Sequence, residues 1–274
     1  MIVCFCHLIR TAGTTLHHIF RNNCGVNHVE VQKRNFSADD LRKLLRFNRH
    51  IKVMGGHYLR TTTGLTDAYP ELKYITLLRN PADRFLSHYN HGWNRGHHSM
   101  SIQERVQVRQ ESDYQVKFFL GCQTAKDRDF SVSEEDLGKA KKILAEDYDF
   151  VGVAEKFDES LVLLKAELGW QRLDIRYQKM HTTKNKHVTK GELTPDIWAG
   201  IKKANRMDEE LYRFAVDELF ARQVEAYPGS LEKAVEDFRR DNRDFRFKRS
   251  ALLKYRMIKY LVYKPYFKLA SWTS

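Results

Sequence analysis

The sequence predicts an α/β fold in three layers, a central parallel sheet flanked by helices, with a helical C-terminal part. Three observations carry this. Short apolar runs that end at turn residues alternate with longer stretches whose apolar residues recur every three or four positions. That order is expected when helices cross between parallel strands. Hydrophobic residues make up 42% of the 274 positions, enough to fold around a core. No apolar run approaches the roughly 18–20 residues of a membrane-spanning helix.

The elements follow in chain order. Ile2 to Cys6 is an apolar run ahead of a Gly-containing loop and reads as a buried first strand. Thr14 to Asn23 reads as a helix with Leu16, Ile19 and Phe20 on one face. Ser37 is placed to cap a helix through about Phe47. His50 to Met54 is a second strand, closed by Gly55-Gly56, and Tyr74 to Leu78 a third, β-rich and nearly all apolar. Arg79-Asn80-Pro81 forms a turn into a helix from about Ala82 to Trp93, with Pro81 near its first position. Gly92 to Met100 is polar and His-rich, an exposed loop, and Ser101 to Leu120 is mostly helix. Ser133 caps a helix through about Glu146. Phe150 to Ala154 is a fourth strand, followed by a helix from about Phe157 to Leu168. Gln178 to Thr194 is a basic loop, and two helices follow near Pro195–Ala204 and Asp208–Ala226. The division expected is one domain over residues 1–230 and a basic, aromatic-rich helical extension over 231–274.

Charge is unevenly spread. The formal net charge is +12, and residues 239–274 hold eleven Lys/Arg against two Asp, with eight aromatics interleaved. Such a surface attracts an anionic polymer or an anionic membrane. A basic balance alone is not a nucleic-acid motif, and no nucleic-acid partner is expected. Four cysteines, at positions 4, 6, 24 and 122, are too few and scattered for a disulfide scaffold. Cys4 and Cys6 alternate on one strand and are read as core thiols. The apolar opening ends at His7, too short for a signal-peptide core.

Two segments carry chemistry. His7-Leu8-Ile9-Arg10-Thr11-Ala12-Gly13-Thr14-Thr15 joins the first strand to the first helix. A loop there presents backbone N–H groups at a helix N-terminus, which suits an anion. Thr11, Thr14 and Thr15 add hydroxyls, Arg10 adds a permanent forked charge, and Gly13 lets the chain turn tightly. The composition is P-loop-like, but Gly-Lys-Ser/Thr is missing. In Leu78-Arg79-Asn80-Pro81-Ala82-Asp83-Arg84-Phe85-Leu86-Ser87-His88-Tyr89, Arg79 ends a buried strand. In an open α/β sheet that is where ligands bind.

Together these segments resemble the PAPS-dependent sulfotransferases, whose donor is 3′-phosphoadenosine-5′-phosphosulfate. The likeness is to the carbohydrate branch, the heparan and dermatan 2-O type and its bacterial relatives. There the first loop runs close to His-Ile-Pro-Lys-Thr-Gly-Gly-Thr-Ser/Thr and the second close to Leu-Arg-Asp-Pro-x-x-Arg-x-x-Ser-x-Tyr. Gly55-Gly56-His57-Tyr58, Val151 to Leu161 and Asn205 to Tyr212 resemble further family segments, so the likeness covers about residues 2–226.

The resemblance implies that Arg10, Thr11, Ala12, Gly13, Thr14 and Thr15 hold the 5′-phosphosulfate, and Arg79 and Ser87 the 3′-phosphate. Lys184 and Lys186, in the basic loop, are expected to help with phosphate. His57 is the expected base, and Arg10, standing where the family has Lys, the cation that meets the sulfonate. Arg10 keeps the charge but cannot give up a proton. His7 is read as structural. His88, His91, His97 and His98 lack zinc-site spacing and no metal is expected.

The implied function is transfer of the sulfuryl group from PAPS to an acceptor hydroxyl, on a saccharide, in a bacterial-type cytoplasmic protein; a Golgi lumen location would require a removed anchor. Acceptor specificity is expected in residues of about 90–130, where family motifs are absent. The rival readings are a kinase-like phosphotransferase, which would need a Walker-type Lys and an acidic magnesium site, and a non-enzymatic polyanion or membrane-surface binder.

Overall fold

Five parallel strands, β1 (Ile2–Cys6), β2 (His28–Glu30), β3 (Val53–Gly56), β4 (Leu72–Leu78) and β5 (Phe150–Val153), form one sheet in the order β2-β3-β1-β4-β5. The structure, a computed structural model, describes residues 1–178, 187–247 and 249–270. β1 lies at the centre, with Phe5 opposite Gly55 on one side and Ile75 on the other. Among the described residues the helices are α1 (Gly13–Cys24), α2 (Ala38–Phe47), α3 (Leu65–Ala68), α4 (Pro81–Asn94), α5 (Ile102–Val106), α6 (Tyr114–Phe119) and α7 (Glu134–Glu146). They continue with α8 (Phe157–Glu167), α9 (Pro195–Ala204), α10 (Arg206–Phe214), α11 (Ala221–Glu225), α12 (Leu231–Asn242), α13 (Arg249–Met257) and α14 (Lys264–Ala270). Wider π turns, Ala215–Phe220 and Ile258–Tyr263, join α10 to α11 and α13 to α14.

Strand periodicity makes the three layers. Successive side chains point to opposite faces. Cys4 and Cys6 join a core with α2, α6, α7 and α10, while Val3 and Phe5 join another with α1, α8 and α12. Both thiols are fully buried. Helix starts follow local capping: Ser37 and Asp40 bond reciprocally at α2, and Ser133 and Asp136 at α7. Pro81 and Pro195 open α4 and α9.

Three expectations need correction. The second strand is Val53–Gly56, so Gly55-Gly56 lie inside it rather than closing it. A Cβ on Gly55 would sit 2.6 Å from the His17 ring, and one on Gly56 2.3 Å from the Val31 carbonyl oxygen. The glycines admit close neighbours, not a turn. The edge strand β2 was not expected; three residues are too few to display a period. The stretch from Ser101 to Leu120 is broken into α5, a 3-10 turn at Arg109–Glu111 and α6. The break falls at Asp113, whose φ is 45°. Its carboxylate accepts the N–H groups of Met207 and Asp208, while Asp208 accepts those of Gln115 and Val116. Each aspartate satisfies the other helix's open N-terminus.

The C-terminal part packs back onto the sheet. α12 lies against α8, and the π turn after α13 lies against β2. The Tyr263 hydroxyl donates to the Val26 carbonyl and accepts from Asn48 Nδ2 at 2.9 Å. No helix among the described residues is long and apolar enough to cross a membrane.

Candidate active site

β1 and β4 are neighbours, and both sequence motifs leave their carboxyl ends. After β1 the chain makes two left-handed turns, at Arg10 (φ 69°) and Ala12 (φ 64°), before α1 begins. These residues, not Gly13, take the turn's unusual backbone conformation. Gly13 is needed for another reason: a Cβ there would lie 2.1 Å from the His7 ring. Thr11 is fully buried and its hydroxyl donates to the Leu8 carbonyl at 2.8 Å. It braces the loop and does not reach the cleft. No side chain caps the N-terminus of α1, and no acidic residue sits in its first turn. Gly13, Thr14 and Thr15 of this first turn line a cleft, at the positive end of a helix dipole.

Long-range contacts clasp the two motifs. Arg10 Nε donates to Ser87 Oγ at 3.0 Å, and its Nη1 lies 3.3 Å from His91 Nδ1. Arg79 Nη1 donates to the Arg10 carbonyl at 3.1 Å. Glu155 steadies Arg79: it lies 3.8 Å from Arg79 Nε, accepts the Asn80 N–H and takes the Tyr212 hydroxyl. Burial, and then the charges of Arg79 and Arg95, push the Arg10 guanidinium below its ordinary value. Three arginines, Arg10, Arg79 and Arg95, against two carboxylates, Asp83 and Glu155, leave the cleft lining with a positive excess.

His57 follows β3. Its Nδ1 lies 2.7 Å from the His7 carbonyl. A carbonyl only accepts, so Nδ1 carries the proton and the neutral ring keeps its lone pair on Nε2. Burial pushes His57 below its ordinary value, against the smaller opposing effect of that hydrogen bond. His57 stands where two clefts meet. The first, about 760 Å³, holds the arginine and amide groups. The second, about 660 Å³, is lined by His18, Arg21, Glu30, Gln32, Tyr58 and Lys259 among others. His7, Thr14, His57 and Arg95 line both.

Of the residues expected from sequence, Arg10, Ala12, Gly13, Thr14, Thr15, His57 and Arg79 line the first cleft. Ser87 reaches it through Arg10, and Lys184 and Lys186 lie outside the described residues. Asp83, His91, Asn94, Arg95 and Glu155 also line it, unforeseen. The signal was present: Asp83, Ser87, His91 and Asn94 are spaced by four, four and three, one stripe of a helix. Ending that helix at Trp93 hid it; α4 runs to Asn94. Of residues 90–130, His91, Asn94 and Arg95 line a cleft; Val116, Phe118 and Phe119 belong to the core. The histidines of this region diverge: His88 faces Glu111 at 3.4 Å, and His98 faces the Tyr89 carbonyl. Among the described residues no group of three His, Cys, Asp or Glu side chains is placed to hold a metal ion.

Comparison with known proteins bears on this arrangement. No curated protein matches the chain. A sulfotransferase structure from Alicyclobacillus acidocaldarius aligns at a TM-score of 0.44 and 14% identity, over 77% of this chain and 96% of that one. The family model for galactose-3-O-sulfotransferase matches residues 112–260. That span is more than half the chain and runs from the start of α6 into the π turn bearing Lys259. It lies C-terminal to both anion motifs and contains Val151 to Leu161 and Asn205 to Tyr212, two of the segments on which the resemblance also rests. The chain belongs to the galactose-3-O-sulfotransferase family.

Proposed function

We propose that the protein moves the sulfuryl group of PAPS to a hydroxyl of a saccharide acceptor. The observation that carries this is His57, its tautomer set by the His7 carbonyl, standing where a positive cleft opens into a second one. The first cleft takes the donor. The amides at the start of α1, with Arg10, hold the 5′-phosphosulfate, and Arg79 the 3′-phosphate. Lys184 and Lys186 would add charge to the same phosphates. The second cleft takes the acceptor; His18, Glu30, Gln32 and Tyr58 offer it donors and acceptors suited to sugar hydroxyls.

In the reaction the acceptor oxygen forms a bond to sulfur as the bond from sulfur to the 5′-phosphate oxygen breaks. The electron pair stays on that oxygen, and the hydroxyl proton passes to His57 Nε2. Arg10 and the α1 amides stabilise the charge on the leaving phosphate and the sulfonate, as in other transfers governed by positioning and electrostatics. Arg10 contributes charge and no proton. The scheme asks for no metal.

Calorimetric titration with adenosine 3′,5′-bisphosphate, against AMP, tests the donor site. The bisphosphate should bind more tightly, and Arg79→Ala should weaken it by about 2 kcal/mol, the scale of a lost charge-assisted hydrogen bond. Equal binding of the two nucleotides would overturn the reading. Labelled PAPS with galactose-terminated saccharides then tests the transfer itself.

A further inference from the structure

The segment from α13 to α14 is apolar on two sides. One side is spent on the protein: Tyr263 and Phe267 are buried, Tyr266 stacks on Phe47 at 4.8 Å, and Lys259 pairs with Glu30. The other side faces solvent. Leu253, Met257, Tyr260, Leu261 and Val262 are between 38% and 69% exposed. The first four fall at i, i+4, i+7 and i+8, a single helical stripe. The other large exposed hydrophobics of the described residues, such as Val26, Met100 and Val224, are scattered singly. A contiguous stripe is the feature that calls for an occupant.

Charge selects the occupant. Residues 249–270 carry six Lys/Arg and no Asp or Glu. Lys254, Arg256, Lys264 and Lys268 are exposed around the stripe. Lysine is depleted in protein–protein interfaces. Large apolar side chains ringed by lysine and arginine on a helix that does not span are the signature of an element lying in an anionic membrane surface.

We propose that residues 249–270 dock the protein on an anionic lipid surface, with Leu253, Met257 and Leu261 entering the headgroup boundary and the basic residues meeting the lipid charge. Lys259, on the same segment, lines the second cleft, so docking sets that cleft beside the lipid. That the second cleft holds an acceptor rests on the proposed transferase reading; the docking does not.

The test is co-sedimentation of the full chain with vesicles of phosphatidylcholine alone or mixed with phosphatidylglycerol, at low and high salt. Binding should need the anionic lipid and weaken with salt. The combined variant Leu253→Ser, Met257→Ser and Leu261→Ser should lose about tenfold or more of vesicle affinity. Its melting temperature, bisphosphate binding and retention on heparin should stay unchanged. Lys254→Glu with Arg256→Glu should lose both vesicle and heparin binding. Absence of vesicle binding overturns the proposal. So does undiminished vesicle binding by the serine variant, which would mark a general polyanion site. A dimer that the serine variant makes monomeric, without loss on vesicles, assigns the stripe to a second copy instead. Loss of nucleotide discrimination with vesicle binding intact would strike the transferase reading alone.

Discussion

The first cleft takes most of its lining from two stretches of chain, residues 7–15 and 79–95. The second gathers His18 and Arg21 from α1, Glu30 from β2, Tyr58 from the turn after β3 and Lys259 from near the C-terminus. One is a βα turn and a helix face, each shaped by short-range geometry and then clasped together by Arg10 and Arg79. The other takes part of its wall from a segment more than two hundred residues away, which folds back on the sheet edge and pairs with Glu30. A donor common to a whole reaction class suits the first kind of site. An acceptor that differs between relatives suits the second, since its walls change without disturbing the anion loop.

The shared wall gives the sharpest way to break this division. His57→Ala should lower kcat by about 10²–10⁴-fold, the range of a lost general base, with bisphosphate binding unchanged by calorimetry. A parallel loss of nucleotide affinity would instead make His57 part of the donor site. Because burial holds His57 below its ordinary value, the acid limb of kcat/KM should fall below pH 6.5.

The same wall should be acid-labile. His7, His17 and His28 are buried behind His57, with His17 Nδ1 3.0 Å from His28 Nε2, and burial pushes all three well below the ordinary value. The unfolded chain therefore binds protons below pH 6.5 that the folded chain refuses, and stability falls as pH falls. Each ring contributes about 1.4 kcal/mol per pH unit until its own folded pKa is reached. Asp208 opposes this: burial raises its pKa to about 7, so it favours the folded state as pH drops over the same window. Asp113, raised by burial as well, adds to it, and two carboxyls do not offset three imidazoles. The melting temperature should drop between pH 7 and pH 5, and a flat profile would mean that these rings are solvated.

Glu30→Gln separates the clefts. Glu30 pairs with both Arg21 and Lys259, and losing its charge leaves two cations facing each other. A cost of about 2 kcal/mol in stability is expected, with a higher acceptor KM and unchanged bisphosphate affinity. A change in nucleotide affinity would show that the clefts are not separable. The smallest effect is expected at Ala12, whose left-handed backbone strains any residue with a Cβ. Ala12→Gly should gain up to about 1 kcal/mol by chemical denaturation, the relief offset partly by unfolded-state entropy. Destabilisation there would mean that the Ala12 methyl packs against the loop.

Much of the fold and about half of the lining of the first cleft were legible in the chain. β1, β4, the capped starts of α2 and α7, and the proline-opened α4 and α9 rest on residues within four positions of each other. Spacing and side-chain type determine such features, because caps, turns and amphipathic faces are local interactions. Arg10, Arg79 and His57 were legible for the same reason, each standing where a strand gives way to a loop.

What only the tertiary structure decided is whatever needs a distant partner. Gly55 and Gly56 are strand residues through their ladder with β1 and β2, and have to be glycine because His17 and Val31 crowd them. The break at Asp113 exists because Asp208 caps the helix beyond it. Arg10 is aimed by Ser87 and His91, and the second cleft is closed by Lys259. These depend on which surfaces the folded chain brings together, and packing energy is shared among residues whose sequence separation carries no record of it.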